Sequence, residues 1–172
     1  MDSILVVCYS YTGIARRAAQ ILSSHHGWPL GEITEARARG TWRCLLDSLL
    51  RRRPEIRYDG PSPADFRTVV LVAPIWMYRL AGPMRSFVAR EKEALRRVAV
   101  VCTMNSAGAS NAVGEIAHLL PHGVVIDAAA FKAREIEDGS GTARLIAFGD
   151  GLQPGSASSQ PAHQPAWTAP AA

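Results

Sequence analysis

At 172 residues, with 48% hydrophobic and 20% charged positions, the chain has the size and composition of one folded domain around a filled core. No apolar run approaches the roughly 20 residues of a membrane span, and the apolar start Ile4 to Cys8 lacks the basic flank of a signal peptide, so a cytoplasmic protein is expected. The net charge of +4 is almost wholly arginine and dispersed, apart from Arg51-Arg52-Arg53; such a run at a helix end favours the helix dipole and solvation, and nucleic-acid binding is not expected.

In chain order, Ser3 to Tyr9 is a continuous apolar, β-branched run without alternation, which suits a strand covered on both faces in a parallel sheet. From Thr12 the spacing of Ile14, Ala18, Ala19, Ile21 and Leu22 predicts a helix that Gly27 and Pro29 stop. Leu30 to Thr34 is a short second strand. Trp42, Leu45, Leu46, Leu49 and Leu50 recur at helical spacing up to Pro54.

Val69 to Ala73 repeats the buried-strand signature and ends at Pro74, and a helix opens at Pro83, with Met84, Phe87 and Val88 as its inner face. Val98 to Thr103 is another buried strand, Ala109 to Leu120 a helix, Val124 to Ile126 a final short strand and Arg144 to Leu152 a last helix. Strands alternating with helices predict a doubly wound α/β sheet. After residue 152 the composition shifts to Pro, Ser, Ala, Gln and Gly, so residues 153–172 read as a disordered tail in which Trp167 is the only large apolar side chain.

Cys8, Cys44 and Cys102 are far apart and form no Cys-x-x-Cys pair, which predicts buried, inert thiols. His25, His26, His118 and His122 have no metal-ligand spacing with nearby carboxylates, and no metal is expected.

Ligands of open parallel sheets bind beyond the carboxyl ends of the strands, and three loops of this chain end there. Ser10-Tyr11-Thr12-Gly13-Ile14-Ala15 leads from a strand into a helix, so two hydroxyls, a glycine and free N–H groups converge on one point and suit a phosphate. A plain helix cap would need only one such hydroxyl. Pro74-Ile75-Trp76-Met77-Tyr78-Arg79 carries two aromatics that suit a flat ring system; the alternative is that they plug the sheet end or form a subunit contact, as in a homodimer. Asn105-Ser106-Ala107-Gly108 offers small polar residues to a ring edge, or is a turn with a helix cap.

The segments ILVVCYSYTGIARRAA, VVLVAPIWMYRLAGPMRSFV and VAVVCTMNSAGAS together resemble the three flavin-contacting segments of flavodoxin-like proteins, in order, over roughly the first 150 residues. The resemblance implies a flavodoxin-like domain over residues 1–152, with a doubly wound five-stranded parallel sheet in the order 2-1-3-4-5. It implies flavin mononucleotide (FMN) as cofactor. Ser10, Thr12 and Gly13 would take the phosphate, Pro74 to Tyr78 one side of the ring, and Asn105 to Gly108 its pyrimidine edge. Arg79, in the ring loop, would stabilise the reduced anionic flavin. Ile14 and Ala15 stand where the family usually offers Asn or Thr.

Other doubly wound classes lack their residues. Receivers need acidic residues where Tyr9, Ser10 and Ala73 stand; a Cys-x5-Arg phosphatase loop fails because seven residues separate Cys8 from Arg16; and Asn105-Ser106-Ala107 is no Gly-x-Ser-x-Gly elbow. Two readings stay open. One is an FMN-dependent oxidoreductase in electron transfer, taking hydride from NAD(P)H and reducing a quinone-like acceptor or redox partner. The other is a non-catalytic flavodoxin-like module with weak or no FMN binding.

Overall fold

A computed structural model describes residues 3–35, 54–105 and 107–153. The helix expected over Trp42 to Leu50, Arg51-Arg52-Arg53, Cys44, Ser106 and nearly all of the tail, Trp167 included, lie outside the described residues. The elements are β1 (Ile4–Tyr9), α1 (Ile14–His26), β2 (Leu30–Glu35), β3 (Ile56–Asp59), β4 (Thr68–Trp76), β5 (Arg79–Leu80), α2 (Gly82–Glu91), β6 (Arg97–Met104), α3 (Ala109–Leu119), β7 (Val125–Lys132), α4 (Ala133–Glu137) and α5 (Thr142–Asp150).

The sheet order is β3-β2-β1-β4-β6-β7, with β5 paired to β4. Its five parallel members, β2-β1-β4-β6-β7, have the expected order 2-1-3-4-5, and β3 and β5 add antiparallel pairs. β1 is buried at all six positions because parallel neighbours flank it and helices cover both faces. The strand period of two divides the core in two. Leu5, Val7, Val69, Leu71, Val98 and Val100 face one layer with Met84 and Phe87 of α2 and Ile116 of α3. Val6, Val70, Val72 and Val101 face the other with Ala18 and Leu22 of α1, Ile136 of α4 and Leu145 of α5. Each fully buried Val or Leu stabilises the fold by roughly 1.5–3 kcal/mol, and the unbroken apolar runs supply several on both faces of every central strand.

The structure corrects several boundaries. β4 does not end at Pro74; it runs on to Trp76, with Pro74 in register with Thr103. The ladder from β1 stops at Val72, so the missing N–H of Pro74 opens no gap on that side. The last strand is not the short Val124 to Ile126 segment but eight residues, Val125–Lys132, paired with β6 along its whole length. Ala128 to Ala130 carry little β propensity, so only the neighbouring strand reveals them. α1 begins at Ile14 rather than Thr12, and the last helix spans Thr142–Asp150. β3, β5 and α4 were not expected; they are short, and β3 alternates partly buried and exposed residues at the sheet edge.

Among the described residues, no helix is long and apolar enough to cross a membrane.

Candidate functional site

Strand order reverses between β1 and β4, and the three loops singled out above meet at the carboxyl edge beside that point. The first is built around Gly13, which caps α1 with φ 94° and ψ −18°, a left-handed conformation that costs a side-chain-bearing residue about 1–2 kcal/mol. The Gly13 N–H donates to Ser10 Oγ at 3.0 Å, which closes the turn and leaves the Ser10 hydroxyl hydrogen able to donate outward. No side chain caps α1 and no acidic residue stands in its first turn. The end of the helix therefore presents N–H groups and the positive end of the dipole, an arrangement suited to an anion. Thr12 is exposed beside it, and the buried Ala15 turns into the α1 core layer.

The second loop is a hairpin. Ile75 pairs with Leu80 and Trp76 with Arg79, leaving Met77 and Tyr78 as a two-residue turn. Both have positive φ, 49° and 62°, where hairpins usually place Asn or Gly. Their side chains are exposed, at 53% and 56%. Aromatic contacts tie this hairpin to the first loop: the Trp76 ring meets Tyr11 edge-on at 5.7 Å and 89°, and Tyr9 at 6.0 Å and 77°. Tyr9 is in turn fixed from β2, its hydroxyl donating to Glu35 Oε1 at 2.7 Å.

The third loop ends at Gly108, the cap of α3, with φ 113°. A Cβ there would lie 2.6 Å from the Tyr78 Cα, so only glycine lets this loop seat against the hairpin tip. Asn105 and Ala107 are exposed at the same edge. The structure thus brings the three segments together, with Ser106 outside the described residues.

Arg79 is not a free cation. Its Nη1 lies 3.5 Å from Glu115 Oε1, while Arg85 Nε and Nη2 donate to Glu115 Oε2 at 3.1 and 2.8 Å. Arg85 Nη2 also donates to the Leu80 carbonyl at 2.9 Å. Arg85 is 4% exposed, so this network is a largely buried clamp that fastens the hairpin to α2 and α3. Tyr9, Arg85 and Glu115 escaped the sequence reading as parts of the site. The signal for Arg85 was a charged residue one turn from the apolar Val88 on the same helical face; Glu115 and Tyr9 carried none.

Cys8 and Cys102 are buried in opposite core layers. Burial pushes each thiol up to about 12, with the Glu32 carboxylate adding to the effect at Cys8, so both remain protonated and unreactive near neutral pH. Arg16 pairs with Glu32, both contacts at 3.0 Å, and takes no part in a Cys8 loop.

No family model matches the chain, and no curated protein matches it. Among solved structures it is similar to a flavoprotein from Lactobacillus acidophilus NCFM in complex with FMN, with a TM-score of 0.66 at 18% identity, covering 81% of this chain and 99% of that one. The apo-form of the flavoprotein from the same organism gives 0.60 at 23% identity, over 80% and 96%. A WrbA-like flavodoxin from Agrobacterium tumefaciens gives 0.51 at 12%, over 89% and 100%. With the strand order, these likenesses establish a flavodoxin-like fold.

Proposed function

We propose that this chain binds FMN at the carboxyl edge of its sheet and works in electron transfer, with NAD(P)H-dependent reduction of a quinone-like acceptor as the enzymatic form. One observation carries the reading: an uncapped helix N-terminus with Ser10 and Thr12 hydroxyls and left-handed Gly13 stands beside an aromatic edge made by Tyr11, Trp76 and Tyr78. The donor set fits the group. Ser10, Thr12, Gly13 and the N–H groups of Ile14 and Ala15 would hold the phosphate, Pro74 to Tyr78 one side of the ring, and Asn105 to Gly108 its pyrimidine edge. The FMN-bound Lactobacillus flavoprotein supports the choice of cofactor.

Bound FMN supplies reversible one- and two-electron chemistry. The residues of this chain orient it and set its surroundings. Backbone donors replace the hydroxyls that Ile14 and Ala15 lack, since an N–H is present whatever the side chain. Arg79 shares Glu115 with Arg85, so the three side chains together carry one net positive charge beside the hairpin rather than two. That residual charge would favour a reduced, anionic ring over the oxidised one.

The purified protein is expected to show flavin absorption, or to bind added FMN with quenching of its fluorescence. Thr12→Ala should weaken that binding severalfold, because a hydrogen bond to phosphate is charge-assisted. Anaerobic NADH or NADPH should bleach the bound flavin. A colourless protein that fails to bind added FMN overturns the proposal in favour of the non-catalytic module, the reading that Ile14 and Ala15 support. Bound FMN that no nicotinamide reduces leaves a carrier rather than an oxidoreductase.

A further inference from the structure

At the other end of α1, about 20 Å from the phosphate loop at 1.5 Å per helical residue, two histidines meet a carboxylate that sequence spacing did not connect with them. His25 and His26 close α1, and Asp150 closes α5. One ligand atom from each lies within 4.8 Å of the other two, and His26 Nδ1 stands 3.8 Å from Asp150 Oδ1. We propose that His25, His26 and Asp150 form a binding site for a first-row divalent cation of the Zn2+ class, which clasps the end of α5 to the end of α1.

The chemistry of the donor set selects that class. Two imidazoles and one carboxylate suit Zn2+, Co2+, Ni2+ or Cu2+, whereas Mg2+ and Ca2+ prefer all-oxygen sites. Tetrahedral ligands at 2.0–2.1 Å from a metal are about 3.4 Å apart. The His26–Asp150 separation is already close to this, and the remaining closure falls to the exposed side chains of His25, whose ring meets that of His26 edge-on at 4.8 Å, and Asp150.

One ligand is held in place. The His26 side chain is 2% exposed and its ring stacks on Trp28 at 4.1 Å and 14°. Its far edge rests on the backbone of Gly149, where a Cβ would collide with Nε2. The ring therefore cannot turn, and Nδ1 is the nitrogen that faces Asp150. Gln153 adds an amide 3.2 Å from that same Nδ1; rotating the amide by half a turn would offer its oxygen as a fourth donor. Coordination through Nδ1 places the proton on Nε2, which is enclosed against the Gly149 backbone and has no hydrogen-bond partner among the described residues.

The test uses the full chain after chelator treatment, titrated with Zn2+ by calorimetry and with Co2+ by its visible d–d absorption. Near-stoichiometric binding, a Tm that rises with Zn2+, and at least tenfold weaker binding in both His25→Gln and Asp150→Asn are expected. FMN affinity should be the same with and without Zn2+, which separates this site from the flavin reading. Circular dichroism verifies that the two exposed substitutions leave the fold intact. Absence of Zn2+ and Co2+ binding overturns the proposal. So does undiminished affinity in the variant that combines His25→Gln with Asp150→Asn, which would assign the metal to other histidines or cysteines of the chain.

Discussion

The loop after β1 and the hairpin after β4 stand side by side at one edge of the sheet and solve the same backbone problem differently. Each needs left-handed residues to turn the chain. The first uses Gly13, for which that conformation is free of side-chain cost, and locks it with the Ser10 hydroxyl. The second uses Met77 and Tyr78, which each hold a conformation about 1–2 kcal/mol unfavourable for residues with a Cβ. Such strain persists only where neighbours over-determine it. Here they are the Arg85–Glu115–Arg79 clamp, the Tyr9–Trp76–Tyr11 contacts and the close approach of Gly108. A relaxed loop suits the invariant part of a nucleotide, its phosphate. A strained, externally braced one keeps two large side chains exposed at the place where a ring and a reaction partner would meet.

Loss of the brace should have the largest effect. Arg85→Met removes the better-placed partner of a mostly buried carboxylate and frees the Leu80 carbonyl, so a loss of about 3 kcal/mol is expected in urea unfolding. FMN affinity should fall with it although the first loop is untouched. A stability change below about 1 kcal/mol would mean that Arg79 alone holds the hairpin.

Gly13→Ala comes next. The added methyl would meet nothing within 4 Å, so its cost is that of the backbone alone, about 1–2 kcal/mol, and a crystal structure should show the turn displaced. An unchanged Tm would show that the first loop is not held at its positive φ.

The smallest effect sharpens the contrast in the opposite direction. Replacing Met77-Tyr78 with Asn-Gly gives the turn its preferred residues and should raise stability by up to about 1 kcal/mol, while FMN binding weakens because both ring-side side chains are gone. Stability gained with unchanged FMN binding would assign the exposed Met77 and Tyr78 some role other than contact with the ring.

The parts of the site legible in the sequence were those written in consecutive residues. Ser10, Thr12 and Gly13 form a phosphate signature because a strand, a turn and a helix follow one another within six positions. The aromatics Trp76 and Tyr78 stood out because loops are usually polar. The hairpin itself was hidden, since Pro74 reads as a strand end, and neither Met77 nor Tyr78 signals a turn. β7 was hidden for a related reason: three alanines carry no strand preference until β6 pairs with them.

The parallel core, its helices α1, α2, α3 and α5 and the glycine-based turn at the first loop were written in the sequence alone, because runs of buried residues and obligatory glycines act over a few neighbouring positions. Tertiary structure alone decided that Arg79 shares a carboxylate with Arg85, that Trp76 is wedged between Tyr9 and Tyr11, and that Asp150 reaches His25 and His26. Each of these joins residues far apart in the chain through side chains no longer than a few bonds. Only the packing of helices onto a finished sheet brings such groups within reach.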